Sequence, residues 1–206
     1  MNERFERQLA FILEADRLKE VERRSYLISG DRKENSAEHS WHLALNTLIL
    51  SEYSNRGLDT FRVMRMLLIH DLVEIDAGDT FCYDAASNET KVEREQAAAD
   101  RLFGLLPEDQ GKEFRALWEE FEAGATPEAR FAVAMDRLMP VLHNLNNRRI
   151  RGKGWKEHSV RGEQVLKRNA LIGEGSEVLW AWVKGELNRA FAEGLLPFRV
   201  SEETSN

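Results

Sequence analysis

Apolar residues return every three or four positions along most of this 206-residue chain, and no stretch alternates apolar with polar as a half-buried strand would. That period commits the chain to packed helices. Phe5, Leu9, Ile12 and Leu13, followed by Asp16 and Leu18, predict a first amphipathic helix. The polar run GDRKENS (30–36) reads as a connection, with Asn35 or Ser36 placed to cap a helix reaching Leu50. Gly57 closes that segment. Asp59 or Thr60 caps the next helix, where Val63, Met66, Leu67 and His70 keep helical spacing. Residues 75–88, with Gly78, Asp79, Asp84, Ser87 and Asn88, read as a loop. KVEREQAAADRLFGLL is helical again, and Pro107 restarts the chain for EDQGKEFRALWEEFEAG. TPEARFAVAMDRLMPVLHNLNN opens with Thr126 as cap and Pro127 at the first helical position, and Pro140 within it predicts a kink. RGKGW reads as a loop, and two further helices are expected near 159–171 and 174–194. The expected architecture is all-α: a compact bundle of about seven to nine helices. It is read as a single domain over 1–206, with a core from about 8 to 170, C-terminal helices over 171–195 and a short polar tail.

Composition excludes several classes of function. The chain is 42% hydrophobic and 32% charged, the balance of an ordinary soluble globular protein. A net charge of −7 argues against a nonspecific nucleic-acid or anionic-membrane binder. Cys82 is the only cysteine, which rules out an intrachain disulfide and a multi-cysteine zinc site and fits a reducing cytoplasm. The first twenty residues are charged throughout, without the apolar block of a signal peptide. No apolar run approaches the roughly 20 residues of a membrane span. A cytoplasmic protein is expected.

Within this ordinary frame one segment changes character. In LLIHDLVEIDAGDT (67–80) three apolar residues give way to His70, Asp71, Glu74, Asp76 and Asp79. Buried carboxylates need water, a counter-charge or a cation. Imidazole nitrogen and carboxylate oxygen both suit a borderline divalent cation, and His70 and Asp71 lie about 100° apart around a helix, close enough to converge on one ion. Glu74 sits one turn beyond His70 on the same face, and Asp136 stands alone between Val133, Ala134, Met135 and Leu138. A capped helix upstream adds His39 and, three residues on, the rival His42. Each has a plainer reading. His70-Asp71 can be a helix end with a solvated acid, Asp136 can pair with Arg130 or Arg137, Glu74 can be a surface acid, and Asp79 can be a turn aspartate beside Gly78.

Taken in order, AEHSWH (37–42), HDLVEIDAGD (70–79) and MDRLMP (135–140) resemble the HD-domain superfamily of metal-dependent phosphohydrolases, and more finely its 5′-deoxynucleotidase (YfbR-like) branch. The resemblance runs from about residue 8 to 170 and is most specific at 36–80 and 134–140. It implies an all-α HD-domain fold, a homodimer, a small-molecule nucleotide substrate, and hydrolysis of (deoxy)nucleoside 5′-monophosphates to nucleoside and phosphate. It implies one divalent cation (Mn, Co, Zn, Ni or Fe) held by His39, His70, Asp71 and Asp136, with His42 packing or supporting a ligand from behind. The sequence lacks the extra histidines that two-metal relatives add.

The resemblance also assigns Glu74 as the acid/base carboxylate and Asp79 as an orienting residue, and leaves Asp76 to turn structure. Arg23, in LKEVERRSY, falls on the phosphate-binding arginine, with Arg24 as competitor one residue on. A guanidinium grips phosphate oxygens through parallel hydrogen bonds, which lysine cannot reproduce. Arg24 stands where some members carry an aromatic, which leaves the choice between deoxyribose and ribose open. TFCYD replaces a Pro-rich loop found in some relatives, and Tyr83 or Phe81 is available to stack on a base or simply to pack. Two other readings remain: a different HD-type activity (cyclic phosphodiesterase, nucleoside-triphosphate hydrolase or nucleotide pyrophosphatase), or a non-catalytic nucleotide- or metal-binding protein.

Overall fold

A computed structural model describes residues 2–80, 83 and 89–197. Helix α1 (Glu3–Ala15) runs through a 3-10 turn, Asp16–Glu20, into a short hairpin of β1 (Glu22–Tyr26) and β2 (Lys33–Asn35). Then come α2 (Ser36–Leu50), α3 (Thr60–Ile69), α4 (Glu74–Ala77), α5 (Lys91–Leu105), α6 (Glu108–Ala123) and α7 (Pro127–Asn146). The chain finishes with α8 (Lys153–Glu157), α9 (Gly162–Asn169), α10 (Ile172–Gly175) and α11 (Glu177–Ala192). Among the described residues eight helices have eight residues or more, and none is long and apolar enough to cross a membrane. The class is all-α.

Start signals in the sequence account for several boundaries. Asn35 caps α2 in a reciprocal box with Glu38: the Asn35 side chain accepts from the Glu38 amide, and the Glu38 carboxylate accepts from the Asn35 amide. Asp59 caps α3 by accepting from the Arg62 amide, and Thr126 caps α7 with Pro127 behind it. At Pro140, α7 continues as one helix; the ring leaves the carbonyl of Asp136 without its usual amide partner.

α7 is the central member. Phe131, Ala132, Ala134, Met135, Leu138, Met139 and Val141 are all buried on it, against α2, α3, α6 and α10. Trp118, Phe131, Leu43, Met66, Leu67 and Met135 are among the largest side chains wholly removed from water. Contact with α10 is so close that a Cβ on Gly175 would stand 2.5 Å from the carbonyl oxygen of Arg130 and 2.8 Å from Cα of Phe131. Only glycine permits that approach.

The structure departs from the sequence reading in four places, the first being that the loop expected over 75–88 begins inside the one-turn helix α4. Residues 22–26 and 33–35 pair as antiparallel strands, Glu22 with Asn35 and Tyr26 with Lys33, with an irregular register between. Strands this short and charged carry no alternation to read. The end of RGKGW (151–155), expected as loop, joins Lys156 and Glu157 in the one-turn helix α8, Lys153–Glu157. On α1 the stripe Phe5, Leu9, Ile12 and Leu13 is exposed, and the residue this helix buries is Phe11. Phe81, Cys82, Asp84, Ser87 and Asn88 lie outside the described residues.

Candidate metal centre and phosphate cradle

Four elements deliver ionisable groups to one place: the β1–β2 hairpin, the first turn of α2, the α3–α4 junction and the middle of α7. His70 caps α3, and its Nδ1 lies 2.8 Å from the carbonyl of Leu67. That contact places the proton on Nδ1 and leaves Nε2 as a free lone pair. Phe121 packs on the ring with centroids 4.8 Å apart, so the imidazole is held on two sides. Nε2 is buried and accepts no hydrogen bond among the described residues, while Oδ1 of Asp71 stands 3.0 Å from it.

His39 is fully buried on α2, with Nε2 3.0 Å from Oδ1 of Asp136 on α7. Its other nitrogen, Nδ1, is 3.2 Å from Oε2 of Glu34 on β2. Burial opposes an imidazolium here, as does Arg23, but the bonds to Asp136 and Glu34 outweigh both and push the His39 pKa up to about 9. Asp136 is half-buried; burial favours its neutral form, but its partners His39, Arg137 and Arg23 hold its carboxyl well below the usual range. His39, His70 and Asp136 each offer an atom within 4.8 Å of the others, and Asp71 joins from the side of His70. Two imidazoles and two carboxylates, one imidazole with its lone pair unclaimed, are a donor set that fits a borderline divalent cation.

Arg23 enters this cluster and Arg24 does not. Successive side chains of a strand face opposite ways; Arg23 points inward and Arg24 to solvent, at the rim of the cavity. The Arg23 guanidinium donates to Oδ2 of Asp71 at 2.5 Å and lies 3.8 Å from Asp136, 3.8 Å from Glu34 and 4.0 Å from Glu74. Burial disfavours its charge, but this ring of carboxylates raises its pKa above the ordinary arginine value.

Glu74 opens α4 and is buried, and its Oε2 accepts a 2.6 Å hydrogen bond from Oγ of Ser36. Burial first, then Asp71, push its pKa well above the usual carboxylate range, with Arg23 opposing. Asp79 follows Gly78, whose φ of 73° belongs to the left-handed half of backbone space. Arg94 of α5 anchors this turn by donating to the carbonyl of Ala77 and, at 3.0 Å, to Oγ1 of Thr80. Asp79 lines the cavity, and burial, with Asp71 against Arg23, raises its pKa. Asp76 points elsewhere, into ion pairs with Arg101 and Arg17.

These groups surround a cavity of about 250 Å³. Its walls include Tyr83, with the Arg168 guanidinium 5.9 Å from the ring centroid, and Trp155, His158 and Asn169 from the C-terminal helices. Two residues that support the cluster were not singled out from sequence. Ser36 had been read only as a cap, and Glu34 sits in a run that looks like solvent-exposed linker. The one available signal was the spacing of ENSAEH, which puts Glu34 and Ser36 immediately before a histidine helix.

The same architecture recurs elsewhere. A predicted metal-dependent phosphohydrolase from Magnetospirillum magnetotacticum is 47% identical in sequence, with a TM-score of 0.88 over 94% of this chain and 96% of that one. The 5′-deoxynucleotidase HDDC2 of Bos taurus is 33% identical over 135 residues, 65% of this chain and 64% of its own length. The 5′-deoxynucleotidase hdd1 of Schizosaccharomyces pombe is 28% identical over 182 residues, 86% of this chain and 85% of that one. The match thus spans a little under two thirds of the bovine protein. The HD domain family matches residues 15–180, the stretch that carries every group in the cavity described above, and the chain belongs to that family.

Proposed function

We propose that this protein is a divalent-metal-dependent phosphomonoesterase that hydrolyses (deoxy)nucleoside 5′-monophosphates to nucleoside and phosphate. The observation that carries this reading is the convergence of His70, Asp71 and Asp136 with Arg23 and Glu74 on one cavity, with His39 buried against Asp136. Similarity to proteins named 5′-deoxynucleotidase supports the substrate class.

The two histidines and two aspartates hold the cation, which when bound supplies a Lewis acid for the phosphate group and activates water. Arg23 offers its guanidinium edge to the phosphate oxygens and balances their charge. Glu74, whose buried carboxyl favours the protonated form, carries the proton to the sugar oxygen as the P–O bond breaks. Ser36 fixes the rotamer of Glu74 through its hydrogen bond. Asp79 orients substrate or water from the cavity wall. Tyr83 offers a ring at the mouth against which a base can lie.

The active form is a homodimer. Trp41, Leu45, Leu48 and Ile49 recur at helical spacing on the outer face of α2 and are exposed, the kind of contiguous apolar stripe that marks an interface.

The test is phosphate release from a panel of deoxy- and ribonucleoside 5′-monophosphates, with chelated protein resupplied with Mn, Co or Zn. Release restored by metal supports the assignment, and the ratio of deoxy to ribo rates reports the effect of Arg24. No release from any member of the panel, with metal still bound, rejects the monophosphate and points to another phosphoester.

A further inference from the structure

The pair His39 and Asp136 repeats one level along the same two helices. His42 lies three residues beyond His39 on α2, and His143 lies seven beyond Asp136 on α7, so both return to the α2–α7 seam. Their rings face each other with centroids 6.2 Å apart. Glu34, on β2, stands between the two levels: Oε2 is 3.2 Å from Nδ1 of His39 and 3.8 Å from Nδ1 of His143. None of these three residues lines the catalytic cavity, and nor does His39, which reaches the cavity only through Asp136.

From this arrangement we propose that Glu34, His42 and His143 form a second cation site, distinct from the one in the cavity and selective for a borderline divalent ion such as zinc, cobalt or nickel. Each residue offers one ligand atom within 4.8 Å of the others. Two ligands about 2.1 Å from a common ion in tetrahedral geometry are about 3.4 Å apart, close to the Glu34–His143 separation. Two imidazoles and one glutamate are a sufficient set, leaving a fourth position for water.

Two further observations point to a ligand rather than a closed hydrogen-bond network. Glu34 is 1% exposed and His143 3%, yet Nδ1 of His143 closes no hydrogen bond among the described residues, and Oε2 of Glu34 is approached within 3.5 Å only by Nδ1 of His39. The cations that face Glu34 are also shared: His39 with Asp136, and Arg23 with Asp71, Glu74 and Asp136. His42 is only partly buried and gives the ion a route from solvent. A cation here fixes Glu34, and through Glu34 the ring orientation of His39. It touches no substrate. This is not a bridged two-metal centre, since the two sites share only the Glu34–His39 contact.

The test counts zinc per chain after chelation, reloading and desalting, with folding checked by circular dichroism. The wild-type protein should retain two zinc ions. His143→Gln and His42→Gln should each retain one, Asp71→Asn should retain the other, and His143→Gln with Asp71→Asn should retain none. His42 is the safer variant, being only partly buried, and decides the matter if His143→Gln fails to fold. One zinc in the wild type, lost in Asp71→Asn and kept in His42→Gln, overturns the proposal, as do two zinc ions kept in His42→Gln. A single zinc that Asp71→Asn keeps and His42→Gln loses would instead uphold this site and remove the cavity cation.

Discussion

The two faces of α2 are inverted relative to an ordinary surface helix. Its inward face carries Ser36, His39, Ser40 and Thr47, with Leu43 the one large apolar residue among them; its outward face carries Trp41, Leu45, Leu48 and Ile49. Hydrophobic sorting alone would turn the helix over. Two things hold it as it is. His39 and Ser36 are tied to Asp136, Glu34 and Glu74 from three other elements, and the apolar outer stripe is free for a second copy of the chain. In this fold the inside of α2 is chosen by chemistry, and the outside matches the dimer proposed above. α1 shows a similar inversion on a smaller scale, with its apolar stripe outward and only Phe11 buried.

The largest effect should come from the inner face's main partner. Asp136→Asn removes a proposed carboxylate ligand and the anchor of His39, and phosphate release should disappear together with the bound cation, as metal analysis would record. Glu74→Gln should cost roughly 10²–10⁴-fold in kcat while the cation stays, since only the proton carrier is lost. Normal turnover in that variant would take Glu74 out of the reaction. Ser36→Ala, which deletes the 2.6 Å bond to Glu74, should reduce kcat by roughly 10–100-fold and leave cation affinity unchanged.

A smaller effect reports on the burial of charge around the cavity. Glu95, on the cavity wall, has its pKa pushed up from 4.5 to about 7 by burial, against a weak pull from Lys91. The folded protein therefore binds this proton more tightly than the unfolded chain. Stability is lost as pH rises from about 4.5 to about 7, and the full penalty applies above that. Glu95→Gln should be more stable than wild type at pH 8 by about 1–3 kcal/mol and similar to it at pH 4.5, in paired thermal melts. The smallest change in fold stability belongs to the outer face. Leu48→Glu should alter monomer stability by about 0.5 kcal/mol or less, yet split the dimer, seen as a halved mass in light scattering. A monomeric wild type would leave the apolar stripe without its partner.

The parts of this molecule legible in the sequence are those set by local rules. Thr126-Pro127, Asn35 with Glu38, and Asp59 announce helix starts because capping acts within four residues. His70-Asp71 was legible because adjacent residues share one helix end, and Arg23 and Asp136 through the order of motifs. The β1–β2 hairpin was not. Its strands face an ionic cluster and solvent rather than a core, so they show no apolar alternation. Glu34 and Ser36 were missed as site residues for a related reason. A buried glutamate in KENS looks identical to an exposed one until the partners from α2 and α7 are in place. The outward faces of α1 and α2 were misleading in the opposite sense, because periodicity tells that a stripe is apolar and not what covers it.

Gly175 gives the fold an unexpected point of control. It presses on α7 at Arg130 and Phe131, little more than a turn before Asp136, with no room for a single added methyl group. A helix this closely abutted is indexed along its own axis, much as a pawl sets a ratchet. Mutational tolerance in the C-terminal quarter should therefore be governed by registration, not by thermodynamic stability. An alanine at position 175, far along the chain from every ionisable group in the cavity, would displace the Asp136 carboxylate and read in kinetics as a defect of the centre itself.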